Sequence, residues 1–305
     1  MKNKFEFFSL NKAFALAADV AKRFKKDLYI ADIVQFADSE IEVRLKEDLN
    51  VKGKLAFVIH STCEPVDEHI MQLLFLIDLL KKRGAKKVHL IIPYFGYSRQ
   101  CINKKTGKPG NAGIIAKLVE TAGADSVTVV EAHNKKLAAF FSIPFCNISL
   151  HSLIASHIRN RFEDRETLCL VAPDDGAKER VRAIASMLHL PTVFFSKKRY
   201  DINKVEIVGV TGDCLGKRAI IIDDIIDTGS TAMKVADILV SKEVSHVYGY
   251  FVHPVLSANA PNALESSVFE KIYVSNSIGL SDDKKIDKIE TFDISDALVD
   301  YVKYL

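Results

Sequence analysis

Ala219-Ile220-Ile221-Ile222-Asp223-Asp224-Ile225-Ile226-Asp227-Thr228-Gly229-Ser230-Thr231 passes from an isoleucine-rich run to two carboxylates, and then to a string of small hydroxyl residues. The apolar run reads as a strand buried on both faces of a parallel sheet, with the acids at its carboxyl end. A helical pattern follows in Met233-Lys234-Val235-Ala236-Asp237-Ile238-Leu239-Val240. Strand, small-residue turn and helix start together point unpaired N–H groups at an anion, and a glycine lets that anion come close. Thr228, Ser230 and Thr231 can add hydroxyl donors. The same residue types cap ordinary helices, so the turn alone leaves both readings open. Asp223 and Asp224 would repel a phosphate; they suit sugar hydroxyls, or a metal reached through water.

Working outward, the sequence repeats this layout once. Leu55–Ile59 reads as a strand, Ile70 to Leu80 as a helix started by Asp67, and Val88–Ile92 as a second strand. Gly84 suits the left-handed position after that helix, whose last turn carries Lys81-Lys82-Arg83. The second half has a strand at 218–222, a helix at 230–241 and a strand at 246–252. Helices are also expected from Lys12 to Phe24, Ile114 to Ala122 and Leu153 to Arg161, with strands at Ile41–Leu45, Val127–Val130 and Leu168–Val171. These patterns predict two related α/β domains, each a mostly parallel sheet flanked by helices. The expected boundaries are 1–147 and 148–305, with the last helix free to pack back on the N-terminal domain. The first unit ends its strand in His60-Ser61-Thr62-Cys63-Glu64-Pro65 and lacks the phosphate turn, so its task should differ.

Composition narrows the function. A length of 305 residues, 48% hydrophobic and 27% charged, fits two globular domains. A formal net charge of +3 is too small to argue for nucleic acid. No apolar run reaches the roughly 20 residues of a membrane span, and Met-Lys-Asn-Lys-Phe-Glu lacks a signal-peptide core. Five scattered cysteines without Cys-x-x-Cys spacing suggest reduced thiols and a cytoplasmic location.

Five further segments could carry chemistry. Phe36, Asp38 and Glu40 place an aromatic face beside two acceptors, as an adenine ring requires. Arg99 and Gln100 follow the Val88–Ile92 strand, where ligands of open α/β sheets collect. His133 follows Val127–Val130, and Asp174 follows Ala172-Pro173 at another strand end. Lys197 and Arg199 lie in a stretch without periodicity, read as a loop that brings charge over a polyphosphate. Each segment alone also fits a solvated surface.

In this order they resemble the ribose-phosphate pyrophosphokinases, from Phe36 to about residue 300. The resemblance rests on Phe-Ala-Asp-Ser-Glu at 36–40, Ser-Thr-Cys-Glu-Pro at 61–65 and Pro-Tyr-Phe-Gly-Tyr-Ser-Arg-Gln at 93–100. It continues in Ala-His at 132–133, Pro-Asp-Asp-Gly at 173–176, Lys-Lys-Arg at 197–199 and the opening string, which is similar to the phosphoribosyl-pyrophosphate loop of type I phosphoribosyltransferases. It implies two phosphoribosyltransferase-like domains and Mg²⁺-dependent transfer of pyrophosphate from ATP to ribose 5-phosphate, giving AMP. By position, it implies Phe36, Asp38, Glu40, Arg99 and Gln100 for ATP, and His133 and Asp174 for Mg²⁺. Lys197 and Arg199 are implied as the catalytic pair, Asp223 and Asp224 for the ribose hydroxyls, and Asp227, Thr228, Gly229, Ser230 and Thr231 for the 5-phosphate. A subunit assembly, at least a dimer, is implied as well. A phosphoribosyltransferase and a catalytically idle regulatory subunit are the rival readings. The chain departs from the family pattern at Cys101, at Ile102-Asn103-Lys104-Lys105, at Gly113 and at Ala177, and Ser230 replaces a glycine.

Overall fold

Residues 5–10, 15–101, 110–201 and 204–304 are described by the computed structural model, the side chains of 197–208 excepted. The chain divides into two compact units. Unit 1 is Met1–Ile148 with Ser277–Gly279 and Ile294–Leu305; unit 2 is Ser149–Asn276 with Leu280–Asp293.

Unit 1 is built on a six-stranded parallel sheet in the order β2-β1-β5-β6-β7-β8. Its strands are β1 (Phe5–Ser9), β2 (Leu28–Ile30), β5 (Leu55–Ile59), β6 (Lys87–Ile92), β7 (Ser126–Val130) and β8 (Phe145–Ile148). The central strands are buried along nearly their whole length, as continuous apolar runs in a covered parallel sheet should be. A separate antiparallel hairpin, β3 (Asp32–Gln35) and β4 (Ile41–Arg44), stands apart from it. The helices are α1 (Ala15–Arg23), α2 (Val66–Lys82), α3 (Ala112–Ala122) and, from the far end of the chain, α8 (Ser295–Tyr304). Helix α2 buries Ile70, Leu73, Leu76, Ile77 and Leu80, a stripe at helical spacing. Gly84 follows it at φ +85°. Asp67 does not start this helix: the N-cap position is Pro65, and Asp67, in the first turn, accepts a hydrogen bond from Tyr97 Oη at 2.6 Å. The first-turn carboxylate still favours the helix dipole there.

Unit 2 carries seven strands in the order β11-β10-β9-β12-β13-β14-β15. They are β9 (Leu168–Ala172), β10 (Thr192–Asp201), β11 (Lys204–Thr211), β12 (Arg218–Ile226), β13 (His246–Pro254), β14 (Phe269–Ser275) and β15 (Ile289–Phe292). All neighbours run parallel except β10 and β11. Its helices are α4 (His151–Arg161), α5 (Lys178–Leu188), α6 (Ser230–Ser241) and α7 (Ala260–Glu265). Ala219, Ile221, Val235, Ala236, Leu239, Val247 and Phe251 share one core under α6.

Two readings of the sequence are corrected in this unit. Lys197 and Arg199 lie on a strand, not an irregular loop: Lys197 pairs with Ile207 and Arg199 with Val205 in the β10–β11 hairpin. Their charges had masked a ladder made by the backbone rather than by an apolar pattern. Likewise β12 does not stop before the acids but runs to Ile226, because β13 continues beside it as far as the Ile226–Pro254 pair.

Candidate functional site

Pairing of β12 is asymmetric at its carboxyl end. On the β13 side the ladder includes Asp223 opposite Phe251 and Ile225 opposite His253. On the β9 side it stops at Ile221 opposite Val171. The chain of β9 turns away after Ala172 into Pro173-Asp174, so the β9 side of β12 has no strand partner at Asp223 and Asp224. Ligands of open parallel sheets gather in such places.

Three carboxylates, Asp174, Asp223 and Asp224, and the Arg180 guanidinium gather at this strand end. Arg180 Nη1, from the first turns of α5, lies 3.4 Å from Asp223 Oδ1 and 3.7 Å from Asp224 Oδ1. The Asp174 carboxylate accepts from Ala177 N–H at 3.2 Å, at the start of α5. Asp223 is held protonated well above the usual carboxylate range, first by burial and then by the charges of Asp224 and Asp174, with Arg180 opposing. Such crowding is costly in the folded chain and is relieved by a cation or by hydroxyl donors. Arg180 was not a sequence candidate. An arginine inside an amphipathic helix carries no signal of its own, and only the placement of α5 beside β12 brings it to the acids.

After Ile226 the chain builds the turn. Gly229 is the N-cap of α6 with φ +73°, and a Cβ there would stand 3.0 Å from Leu264 Cδ2. Thr228 and Ser230 are exposed and Thr231 is half-buried, with Thr228 Oγ1 3.2 Å from Ser230 Oγ. The N-cap residue Gly229 has no side chain to cap α6, and Ser230 N–H reaches Thr228 Oγ1 only at 3.5 Å; a helix start leaves its first N–H groups without intrahelical acceptors. The Asp227 carboxylate accepts a short hydrogen bond from Ser257 Oγ, a partner the sequence did not flag. Asp227 thus fixes the turn from behind.

In unit 1 the candidates fall in two places. Arg99 and Gln100 form an exposed one-turn helix after β6, and exposed His133 follows β7, the neighbouring parallel strand. Both segments follow the carboxyl ends of these strands. Tyr97, at φ +64°, aims this turn, and Gln100 Oε1 accepts from Asn111 Nδ2 at 2.8 Å. The unusual Cys101 is buried and donates its thiol hydrogen to the Ser98 carbonyl at 3.1 Å. Gly113 lies against Phe140, whose ring would be 3.1 Å from an added Cβ. Ile102 to Lys105 lie outside the described residues. Phe36, Asp38 and Glu40 sit on the turn of the separate β3–β4 hairpin, closed by Phe36 N–H to Glu40 O at 2.8 Å. Phe36 is 48% exposed, a large apolar face offered to solvent.

Among the described residues no group of three or more His, Cys, Asp or Glu side chains is arranged to hold a metal ion, and no helix is long and apolar enough to cross a membrane. The oxygen donors at the end of β12 nevertheless suit Mg²⁺, which takes one or two carboxylates and completes its shell with water and substrate phosphates.

Comparison with known proteins follows the same division. A family model for the N-terminal domain of ribose phosphate pyrophosphokinase matches residues 5–123, and one for the phosphoribosyl synthetase-associated domain matches residues 163–305. Ribose-phosphate pyrophosphokinase of Bacillus caldolyticus is 35% identical over 288 residues, 94% of this chain and 90% of that protein. That of Listeria ivanovii is 36% identical over 295 residues, 97% and 92% of the two chains. The crystal structure of phosphoribosylpyrophosphate synthetase from Mycobacterium smegmatis matches with a TM-score of 0.90 at 29% identity, over 99% of this chain and 98% of that one. The two α/β units therefore have the type I phosphoribosyltransferase-like fold. With both units matched, and with relatives covered almost from end to end, the chain belongs to the ribose-phosphate pyrophosphokinase family.

Proposed function

We propose that this chain transfers the β,γ-pyrophosphoryl group of Mg-ATP to the C1 hydroxyl of ribose 5-phosphate, giving 5-phosphoribosyl 1-pyrophosphate and AMP. The observation that carries the reading is the run from the acid pair at the end of β12 into a helix start at left-handed Gly229. It offers carboxylates and N–H donors in the order a sugar phosphate presents hydroxyls and phosphate.

In this reading the 5-phosphate accepts from the N–H groups of Gly229, Ser230 and Thr231 and from the hydroxyls of Thr228, Ser230 and Thr231. Asp227 holds the turn. Asp223 and Asp224 accept from the ribose hydroxyls, fixing the C1 oxygen for attack on the β-phosphorus. Arg180, donating to Asp223 Oδ1, favours the charged form of the acid pair against burial. Mg²⁺, when bound, would neutralise the polyphosphate; Asp174 and His133 are the residues assigned to it. Arg99 and Gln100 are assigned to the nucleotide phosphates, and Phe36, Asp38 and Glu40 to its adenine. Lys197 and Arg199, two positions apart on β10, are assigned to stabilise charge on the transferred group. Self-association, at least to a dimer, belongs to the same reading.

The test is AMP formation from ATP and ribose 5-phosphate with no nucleobase present. AMP that depends on both substrates and on Mg²⁺ supports the reading. A chain that is silent at every Mg²⁺ level supports the regulatory subunit instead, and pyrophosphate release only with an added base supports a phosphoribosyltransferase.

A further inference from the structure

Residues 255–259 join the end of β13 at Pro254 to the start of α7 at Ala260, and they hold the turn after β12 in three ways. Val255 N–H and Leu256 N–H both donate to the Ile226 carbonyl, at 3.0 and 3.1 Å. Ser257 Oγ donates to the Asp227 carboxylate, both groups being half-buried. Leu264 of α7 is the side chain against which Gly229 closes, its Cδ2 3.0 Å from where a Cβ would stand. Ile226, Leu256, Ala260 and Leu264 are buried in one core, so turn and brace share a foundation.

The brace is itself held in an unfavourable shape. Leu256 at φ +50° and Ala258 at φ +55° flank Ser257 in the left-handed region, which a Cβ disfavours. Such conformations persist where the surroundings over-determine them, and they collect at functional sites. Here Leu256 is fully buried, Lys284 Nζ donates to the Val255 carbonyl at 2.9 Å, and Ala260 N–H donates to the Ser257 carbonyl at 3.2 Å. Ser257 is thus set between two constrained positions, with its hydroxyl delivered to Asp227.

We propose that Ser257 is a positioning residue for the sugar phosphate: acting through Asp227, it sets where the turn at 227–231 holds the 5-phosphate. The inference rests on the sugar-phosphate reading of that turn. A carboxylate only accepts hydrogen bonds, and a phosphate dianion beside it is a competing acceptor of like charge. The Ser257 hydroxyl supplies Asp227 with a donor on the brace. Without it the carboxylate is freer to accept from the first-turn N–H groups of α6, the donors the phosphate needs. Phosphate binding is made in the ground state and the transition state alike, so its loss belongs in KM rather than kcat.

The test compares the full-length wild type with Ser257→Ala and Ser257→Thr, by calorimetric titration of ribose 5-phosphate and by initial rates of AMP formation. Ser257→Ala should weaken ribose 5-phosphate binding and raise its KM by about tenfold, the loss of a hydrogen bond to a charged group. The KM for ATP and kcat should stay within about twofold, and Ser257→Thr, which keeps the hydroxyl, should restore most of the affinity. In an Asp227→Ala background the same alanine substitution should add less than about twofold, since its partner is already gone. Unchanged affinity in Ser257→Ala, equal rises in both KM values, or a threonine variant as weak as the alanine would overturn the proposal. Should Ser257→Ala misfold, hydrogen exchange on the wild type decides: ribose 5-phosphate must slow exchange at 255–259 along with 227–231, and protection confined to the turn would count against the brace. A wild type that binds ribose 5-phosphate but forms no AMP refutes the reaction alone, leaving the affinities to decide on Ser257. One that binds no ribose 5-phosphate refutes both.

Discussion

Burial and the neighbouring carboxylates resist a charge on Asp223. Its folded range is raised, so the folded chain binds the proton more tightly than the unfolded one, and stability falls as pH rises above the ordinary carboxylate range. Asp223→Asn should therefore raise Tm at pH 7 to 8, with the gain vanishing below about pH 4, while kcat/KM for ribose 5-phosphate falls by at least tenfold. Thermal melts and initial rates on the same preparation check both arms. His60 has the opposite sign. Its buried ring, edge-on to His69 at 5.0 Å, is pushed down to about 3 by burial and by the neighbouring histidine. The unfolded chain takes up that proton first, so stability is lost as pH falls below about 6.5, by about 1.4 kcal/mol per pH unit, until the folded ring titrates. His60→Phe should remove this part of the slope in urea midpoints measured from pH 7 to pH 4; parallel profiles would assign the slope elsewhere. For Lys197→Ala the expected loss is on the order of 10²–10³ in kcat, with little change in ribose 5-phosphate affinity. At this scale the sequence was informative wherever chemistry dictates residue type. Asp223, Asp224 and Gly229 could be singled out because acids beside a buried strand and glycine at a helix start have few other uses. Arg180 and Ser257 were silent, because nothing local marks a residue whose partner lies dozens of positions away.

Elements tell a similar story. Strands such as β5, β6 and β12 were legible because parallel strands covered on both faces must be apolar throughout. The β10–β11 hairpin was not, since Ser196-Lys197-Lys198-Arg199 shows no alternation and its order comes from pairing. Strand β12 was read too short because Asp223-Asp224 interrupts its apolar run; Ile225 and Ile226 beyond them pair with β13, and Ile226 enters the core. Turns allow a paired prediction. Gly229 and Gly216 share positive φ, but only Gly229 opens the candidate phosphate turn. Gly229→Ala and Gly216→Ala should each cost about 1–2 kcal/mol in urea unfolding from the left-handed backbone. Only Gly229→Ala should also raise KM for ribose 5-phosphate, by tenfold or more. Equal KM effects in the two variants would remove the turn from the binding site.

At the scale of the whole molecule, the chain leaves unit 1 after Ile148, completes most of unit 2, and returns twice. The first return is pinned by Ser61 Oγ donating to the Ser277 carbonyl at 2.6 Å. The second brings helix α8 against α1 and buries Ile294, Leu298, Val299 and Val302. Each such side chain contributes about 1.5–3 kcal/mol by leaving water. Removing residues 294–305 should therefore destabilise unit 1 while leaving the sheet of unit 2 protected. Hydrogen exchange read by peptide should show faster exchange in β1, β5 and α1 and unchanged protection in β12 and β13. The sequence suggested that the last helix returns; the stop at Ser277 had no local mark, because a serine carbonyl looks the same anywhere. That double return bears on how the protein is made. On a ribosome the opening segment of unit 1 emerges first, yet it must wait for residues 294–304 before its core can close. Unit 2, started later, has its whole sheet available once Phe292 has emerged, so the unit begun first is the last to mature, and a chain released at residue 293 would carry the complete sheet of unit 2 and an incomplete unit 1.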